Sequence, residues 1–384
     1  MKTEAQRLGF HLVGVTTPDP PPHLAVFEYW LDSGRHGEMG YLDAQRSRQR
    51  RADPRQILPE CASILVLGMR YANPETVGDT AGQREPQPHG RVAAYAWGSD
   101  YHDVFPGHLR TLVAFIETQV GRPVPNRCYS DTGPILERDL AQRAGLGWIG
   151  KNTCLINPEL GSYFLLAEIL LGLELEPDLP FIPDHCGTCT RCLEACPTAC
   201  ILPDRTIDAT RCLSYLTIEL KGTIPIELRS SLGEWIFGCD ICQQVCPWNE
   251  RFATEQWEPA FAPRPGVPYA ELARELEEST TEKFNQKFQG SPVKRAKRRG
   301  YLRNVAVALG NAGQPSTVPA LTQALLREAE PLVRSHAAWA LGQIVSAAAC
   351  QALMEASQSE QDAAVLVEIQ RALQNCSGVE TGFP

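Results

Sequence analysis

The sequence predicts three parts: an α/β N-terminal domain over 1–172, a ferredoxin-like 4Fe-4S module over 173–256, and a C-terminal all-α domain of HEAT-like repeats over 269–384. Three observations lead there. Strand-like and helix-like patterns alternate up to about residue 172. Nine of the fourteen cysteines crowd between Cys186 and Cys246. The triplets Ala308-Leu309-Gly310, Ala340-Leu341-Gly342 and Ala372-Leu373-Gln374 recur every 32 residues. A chain of 384 residues exceeds what one hydrophobic core usually spans, so several domains are expected. With 43% apolar and 21% charged residues, the composition is that of a folded globular chain, and it excludes disordered and fibrous classes.

In chain order, His11 to Val15 and Ser63 to Met69 read as strands rich in Val, Ile and Leu. Leu109, Leu112, Val113, Ile116 and Val120 fall at i, i+3, i+4, i+7 and i+11, which places one apolar stripe on a helix ending at Gly121. A second helix is predicted from near Pro134 to near Gly145. The apolar run Tyr163 to Leu171 is about half the ~20 residues of a membrane helix and contains Glu168, so it reads as a buried strand. Strands and helices in alternation make an α/β layer domain. Prolines 177, 180 and 183 mark a connector into the cysteine-rich stretch, and a second connector runs from Trp257 to Pro268. The 32-residue period beyond it fits stacked helix pairs, with a small irregular helical bundle as the plainer alternative.

The start, MKTEAQRLGFHLVGV, has neither a basic segment leading into a long apolar stretch nor a twin-arginine pair, so a cytoplasmic monomer is expected. The net charge of -9 argues against nucleic-acid binding by the whole surface. One local basic run stands out: Lys294, Arg295, Lys297, Arg298, Arg299 and Arg303, placed to contact phosphates or simply forming a solvated helix face.

In a reducing compartment so many cysteines point to metal ligation rather than disulfides. Residues 186 to 197 read C-x2-C-x2-C-x3-C-P, the spacing of two-cluster ferredoxins, in which the fourth cysteine reaches the other cube. The partner set is Cys212 followed by Cys239-x2-Cys242-x3-Cys246-Pro247. The exchange then assigns Cys186, Cys189, Cys192 and Cys246 to one 4Fe-4S cluster, and Cys196, Cys212, Cys239 and Cys242 to the other. Cys200 is left over as packing, and Cys61, Cys128, Cys154, Cys350 and Cys376 read as small buried hydrophobes. A pair of structural zinc sites is the bland alternative, though zinc seldom uses three cysteines at such intervals followed by C-P. Two clusters in tandem relay single electrons, and no G-x-G-x-x-G or Walker loop supplies their terminus.

Several segments together resemble the epoxyqueuosine reductases, the cobalamin-dependent enzymes that complete queuosine in the tRNA anticodon loop. They are DYH at 100 to 102, DTGPILERDLAQRAGLGWIGKNT at 131 to 153, CGTCTRCLEACPT at 186 to 198, RCLSYLT at 211 to 217, GCDICQQVCPWN at 238 to 249 and LRNVAVALGN at 302 to 311. The match runs through nearly the whole chain, and DTGP through GWIGKNT is its most specific part. The resemblance implies an α/β domain holding base-off cobalamin, two 4Fe-4S clusters beside it, and a repeat tail gripping tRNA that carries epoxyqueuosine. It further implies an external single-electron donor such as a ferredoxin or flavodoxin.

Reducing an epoxide to an alkene removes one oxygen as water and takes two electrons and two protons, with cob(I)alamin as the nucleophile that the resemblance implies. The Asp of DTGP, Asp131 here, is implied as general acid, with a helix cap as its bland reading. The implied cobalamin contacts are Arg51, Asp131, Leu155, Ser214 and Asp240, of which Arg51 equally reads as a solvated charge. Residues 100 to 105, DYHDVF, lack the glycine of D-x-H-x-x-G, so His102 reads as a hydrogen-bonded loop residue rather than a cobalt ligand. Two other classes stay open: a non-catalytic ferredoxin-type electron-transfer subunit, and a soluble cobalamin-dependent reductive dehalogenase, which the repeat tail and basic run disfavour.

Overall fold

The computed structural model describes residues 1–71, 87–252 and 257–376. These form two compact units that interleave along the chain: 1–71, 94–210, 240–252 and 257–263 in the first, and 87–93, 211–239 and 264–376 in the second. The cysteine-rich stretch therefore packs in pieces, its ends with the first unit and its middle with the second, and its last expected residues, 253–256, lie outside the described ones.

The first unit is built on a four-stranded sheet. Its strands β1 (Leu12–Thr16), β2 (Ser63–Arg70), β3 (Asn126–Tyr129) and β4 (Phe164–Leu171) stand in the order β1-β2-β4-β3, with every neighbour antiparallel. Every residue of β2 is buried, which is why SILVLGMR shows no alternation: both faces of this strand are covered. Leu140 and Ala141 of the helix Glu137–Arg143 pack with Ile64, Val66 and Leu170 on one face. Four members of the predicted apolar stripe, Leu109, Leu112, Val113 and Ile116, are buried in the helix Tyr101–Val120, whereas Val120 in its last turn is exposed; the helix ends at Gly121 with φ 73°. That helix starts earlier than the stripe. Asp100 caps it, its Oδ1 accepting from the His102 backbone N–H at 3.0 Å, so His102 sits in the first helical turn rather than a loop. The helix predicted from Pro134 begins three residues later, at Glu137, because the preceding loop is tied to other elements.

The second unit holds a three-stranded sheet, Trp235–Phe237, His89–Val92 and Tyr269–Glu271 in spatial order, and the repeat helices. The 32-residue triplets mark where the helices Lys297–Ala312, Pro331–Ile344 and Ala363–Asn375 touch. A Cβ on Gly310 would meet Ala340 Cα at 2.8 Å, and one on Gly342 would meet Ala372 Cα at 2.8 Å, so the repeat encodes close backbone approach.

Two expectations are corrected in this unit. Arg303 is fully buried, and its guanidinium donates to the carbonyls of Leu216 at 2.6 Å, Gly222 at 2.6 Å and Leu220 at 2.9 Å; it is an internal tie and reaches no phosphate. Cys350 and Cys376 are not two separate packing residues but a disulfide, because the last two helices bring their Cα atoms to 5.8 Å, inside bridging range.

Gly342→Val is expected to lower the unfolding free energy by about 1–3 kcal/mol, since the branched side chain has no room against Ala372. Chemical denaturation followed by circular dichroism checks it, with Gly313→Ala reporting a left-handed position without such contact.

Candidate cluster site and acid loop

Short thiol spacing, C-x2-C-x2-C, forces the chain to wrap around whatever its sulfurs bind, and the first unit shows the wrap. Cys186, Cys189, Cys192 and Cys246 line one cavity of about 280 Å³, together with Lys151, Asn152, His185, Pro247 and Trp248. These are the four residues assigned to one cluster from spacing alone. Burial pushes the Cys192 thiol up to about 11, and the neighbouring thiols of Cys186, Cys246 and Cys189 add to it. Cys246 is raised chiefly by burial as well, with Cys186 again opposing its ionisation. Four sulfurs gathered at one cavity are a donor set for a polynuclear cation, and a 4Fe-4S cube takes four thiolates.

The GWIGKNT segment supports this cavity from behind. Trp148–Ile149 pairs with Leu155–Ile156 as a short hairpin. Trp148 Nε1 donates to Cys186 Sγ at 3.4 Å, and Lys151 Nζ donates to the carbonyls of Gly187 at 2.8 Å and Cys189 at 2.9 Å. Hydrogen bonds and positive charge at cluster sulfurs are levers on reduction potential. The sequence reading quoted this motif but gave none of its residues a role. Their signal was Trp148 between two glycines followed by the polar run Lys151-Asn152-Thr153, which spacing rules for metals do not cover.

Of the other thiols, Cys196 and Cys242 belong to the first unit, and Cys212 and Cys239 to the second. Cys196 is pulled down to about 4, chiefly by Cys200, whose sulfur lies 3.4 Å away. Cys200 is thus buried against an assigned ligand.

The acid loop follows β3. Ser130 Oγ donates to the Leu166 carbonyl of β4 at 2.9 Å, and the chain then turns sharply: Asp131 has φ 58°, a left-handed conformation that non-glycine residues rarely adopt. Two contacts hold it. The Tyr101 hydroxyl donates to Asp131 Oδ2 at 2.9 Å, and the Asp131 backbone N–H donates to Glu137 Oε1 at 2.7 Å. Gly133 lies so close to the Tyr129 ring that a Cβ would come within 2.5 Å of Cγ, which explains the glycine of DTGP. Asp131 itself is exposed, so it is no buried structural acid, and the side-chain cap expected of it is absent: the helix at Glu137 has Leu136 in the cap position without a side-chain hydrogen bond. Burial pushes the Tyr101 hydroxyl far above its ordinary range, assisted by the charge of Asp131, so Tyr101 stays a donor.

Arg51 is not a solvated charge. It is buried, with its guanidinium over the Phe27 ring at 5.4 Å and hydrogen-bonded to Ser47, within electrostatic reach of Glu137 and Asp131. Leu155 is packed in the core of the first unit, which leaves only its backbone for a ligand. Asp240 is buried, its Oδ2 accepting from the Ala94 backbone N–H at 2.6 Å. Ser214 is half-buried in the helix Leu213–Ile218 of the second unit. In the basic run, Lys294, Arg295, Lys297 and Arg299 are exposed. Arg295 pairs with Glu219 at 2.5 Å, and Arg298 forms a two-pronged pair with Glu328 at 2.6 and 3.0 Å.

A thiol-lined cluster cavity and a strained acid loop in one α/β unit, with a repeat tail in another, define an iron-sulfur oxidoreductase. Comparison with known proteins specifies which. The 4Fe-4S double cluster binding domain matches residues 185–249, the epoxyqueuosine reductase QueG domain residues 51–132, and HEAT repeats residues 297–374. The chain is 43% identical over 345 residues to the epoxyqueuosine reductase of Pseudomonas aeruginosa, covering 89% of this chain and 92% of that one. A crystal structure of selenomethionine-labelled epoxyqueuosine reductase superposes with a TM-score of 0.88 at 30% identity over 98% of this chain and 97% of its own. A second, of epoxyqueuosine reductase with an epoxyqueuosine-modified tRNA-Tyr stem loop, gives 0.86 at 30% identity over 98% of both chains. The chain belongs to the epoxyqueuosine reductase family.

Replacing one ligand should dismantle one cube and spare the other. Cys246→Ser is expected to lower iron and acid-labile sulfide per chain by about half in anaerobically prepared protein, with the loss read by elemental analysis and electron paramagnetic resonance.

Proposed function

We propose that this chain reduces the epoxide of epoxyqueuosine to the alkene of queuosine in tRNA, with Asp131 as general acid, two 4Fe-4S clusters as electron relay and base-off cobalamin as cofactor. The observation that carries the reading is the acid loop, where an exposed carboxylate in a left-handed turn is clamped by Tyr101 and Glu137 within the same unit as the thiol cavity.

The residues fit the cofactor unevenly. Asp131 is open and Arg51 stands near it, whereas Leu155 offers backbone only and the Asp240 carboxylate is already engaged with Ala94. Within the first unit Arg51, Asp131 and the backbone at Leu155 and Asp240 would hold cobalamin, with Ser214 of the second unit assigned by the family resemblance alone; when bound, the cofactor supplies a low-valent cobalt nucleophile for the epoxide carbon. The chain's own groups do the rest. Tyr101 donates to Asp131 Oδ2, which leaves Oδ1 as the oxygen through which Asp131 would pass a proton to the substrate. Cys186, Cys189, Cys192 and Cys246 hold one cluster, and Cys196, Cys212, Cys239 and Cys242 the other, on the strength of their spacing. Cys189 is exposed, which gives an external one-electron donor such as a ferredoxin or flavodoxin a place to deliver electrons.

The tRNA contacts are assigned to Lys294, Arg295, Lys297 and Arg299, the exposed members of the basic run, with Arg298 held back by Glu328. Among the described residues no helix is long and apolar enough to cross a membrane.

Asp131→Asn is expected to keep iron, sulfide and cobalamin binding but to lose about 100- to 10,000-fold in turnover of epoxyqueuosine-containing tRNA. Near-normal turnover would remove the acid role. Lys294, Lys297 and Arg299 changed together to alanine should weaken tRNA binding and flatten the dependence of log affinity on log salt by about 2, read by filter binding across a salt series. An unchanged slope removes the patch from the interface.

A further inference from the structure

The acid loop has a second layer that the proposed chemistry leaves unused. Glu168 lies in the middle of β4, paired in register with Val66 of β2 and Tyr129 of β3, and it is fully buried. Alternation along the strand puts it on the face of Leu166 and Leu170, the face covered by the helix that begins at Glu137. Among the described residues neither of its carboxyl oxygens has a hydrogen-bond partner apart from the carboxyl of Glu137. What its carboxyl faces is another carboxyl, that of Glu137. A charge here has no cation to balance it, and packing gives no reason for an acid, since its strand neighbours are Ala167, Ile169 and Leu170.

We infer that Glu137 and Glu168 form a proton-holding carboxyl pair that recharges Asp131 during the reduction. The inference rests on the reading of Asp131 as general acid. Epoxide, two electrons and two protons give alkene and water. As the first C–O bond breaks, the proton on Asp131 goes to the opening oxygen. As the second breaks, the resulting hydroxyl leaves as water and needs another proton from the same side. Between the two, an O–H bond of the pair breaks while a new one forms on Asp131, and the pair later takes a proton from solvent. The two electrons arrive through the clusters. Glu137 is held next to Asp131 by the bond from the Asp131 backbone N–H to Glu137 Oε1, which fixes the two residues side by side without itself being the proton path.

The electrostatics agree. Burial raises both carboxyls, Glu137 to about 7 and Glu168 well above the ordinary range; the charge of Glu137 opposes ionisation of Glu168, while the hydrogen bond from Glu168 favours ionised Glu137, so near neutral pH the proton of the pair is held on Glu168. Asp131 adds to the opposition on both. Arg138 and Arg51 favour ionised Glu137, and Tyr101, which stays protonated, completes its surroundings. As pH rises through the raised value the store empties, so turnover falls on the alkaline side.

The test compares wild type with Glu168→Gln and Glu137→Gln; the Gln at 137 retains an oxygen for the Asp131 N–H. Infrared difference spectra of the cluster-loaded protein without substrate should contain a protonated-carboxyl band that persists at neutral pH in wild type and is lost in Glu168→Gln. In Glu168→Gln the alkaline limb of single-turnover rate against pH should move to lower pH, and Glu137→Gln should slow turnover about 100-fold with the limb lost. A wild-type spectrum without that band, or variants with the wild-type pH profile, overturns the inference. Should Glu168→Gln fail to fold, the half-buried Glu137 position carries the test alone. Asp131→Asn separates the two readings: normal turnover there removes the acid role while the infrared band stands, whereas lost turnover with unmoved Glu variants removes only the store.

Discussion

Thiolates repel one another, and a short loop that brings three of them together with a fourth from a distant turn does so only around a compensating cation. That constraint organises the first unit. The cavity among Cys186, Cys189, Cys192 and Cys246 requires two separate turns of chain to meet, and the Trp148–Ile156 hairpin stands where it can stitch them, with Lys151 on two backbone carbonyls and Trp148 on a sulfur. The glycines of GLGWIG follow from this. A Cβ at Gly147 would collide with the Ile156 carbonyl at 2.1 Å, and one at Gly150 would press on the Asn152 side chain at 2.7 Å. The segment that looked most diagnostic in the sequence is the one whose backbone has least freedom.

The same unit handles acids in two ways. Asp131 is exposed and held in a strained turn by a phenol and a carboxylate, while Glu168 is sealed in the sheet behind it. An open carboxyl meets a substrate, and burial favours the neutral form of a sealed one. The short stretch from Ser130 to Glu137 couples the two, which is why its backbone leaves the helical path that Pro134 would otherwise start.

In the second unit, burial of polar groups replaces the apolar redundancy of an ordinary helical stack. Arg303 and Asn304 sit at the centre of the first repeat helix with no exposed surface, satisfied by carbonyls of Leu216, Thr217, Leu220, Gly222 and Ile236. Arg229 pairs with Glu368 at 3.0 Å, again fully buried. Removing one partner of such a pair leaves an uncompensated charge, so these contacts specify which helix meets which. Charge counting along SPVKRAKRRGYLRN assigned six cations to one surface, whereas one of them points inward.

By itself the sequence determined what is local. Cysteine spacing picked out Cys186, Cys189, Cys192 and Cys246, which line one cavity, the 32-residue triplets marked the helix repeat, and the apolar stripe from Leu109 marked a helix, because each pattern is read from spacing along the chain. Only tertiary structure decided what depends on distant partners. It decided that Arg303 is a tie, that Arg51 stacks on Phe27, that Cys350 meets Cys376, and that Glu168 lies behind Glu137. The physical reason is the same in each case. Whether a charged or reactive side chain faces water or another buried group is set by chain segments far away in sequence, and burial, not residue type, then fixes its protonation and its role.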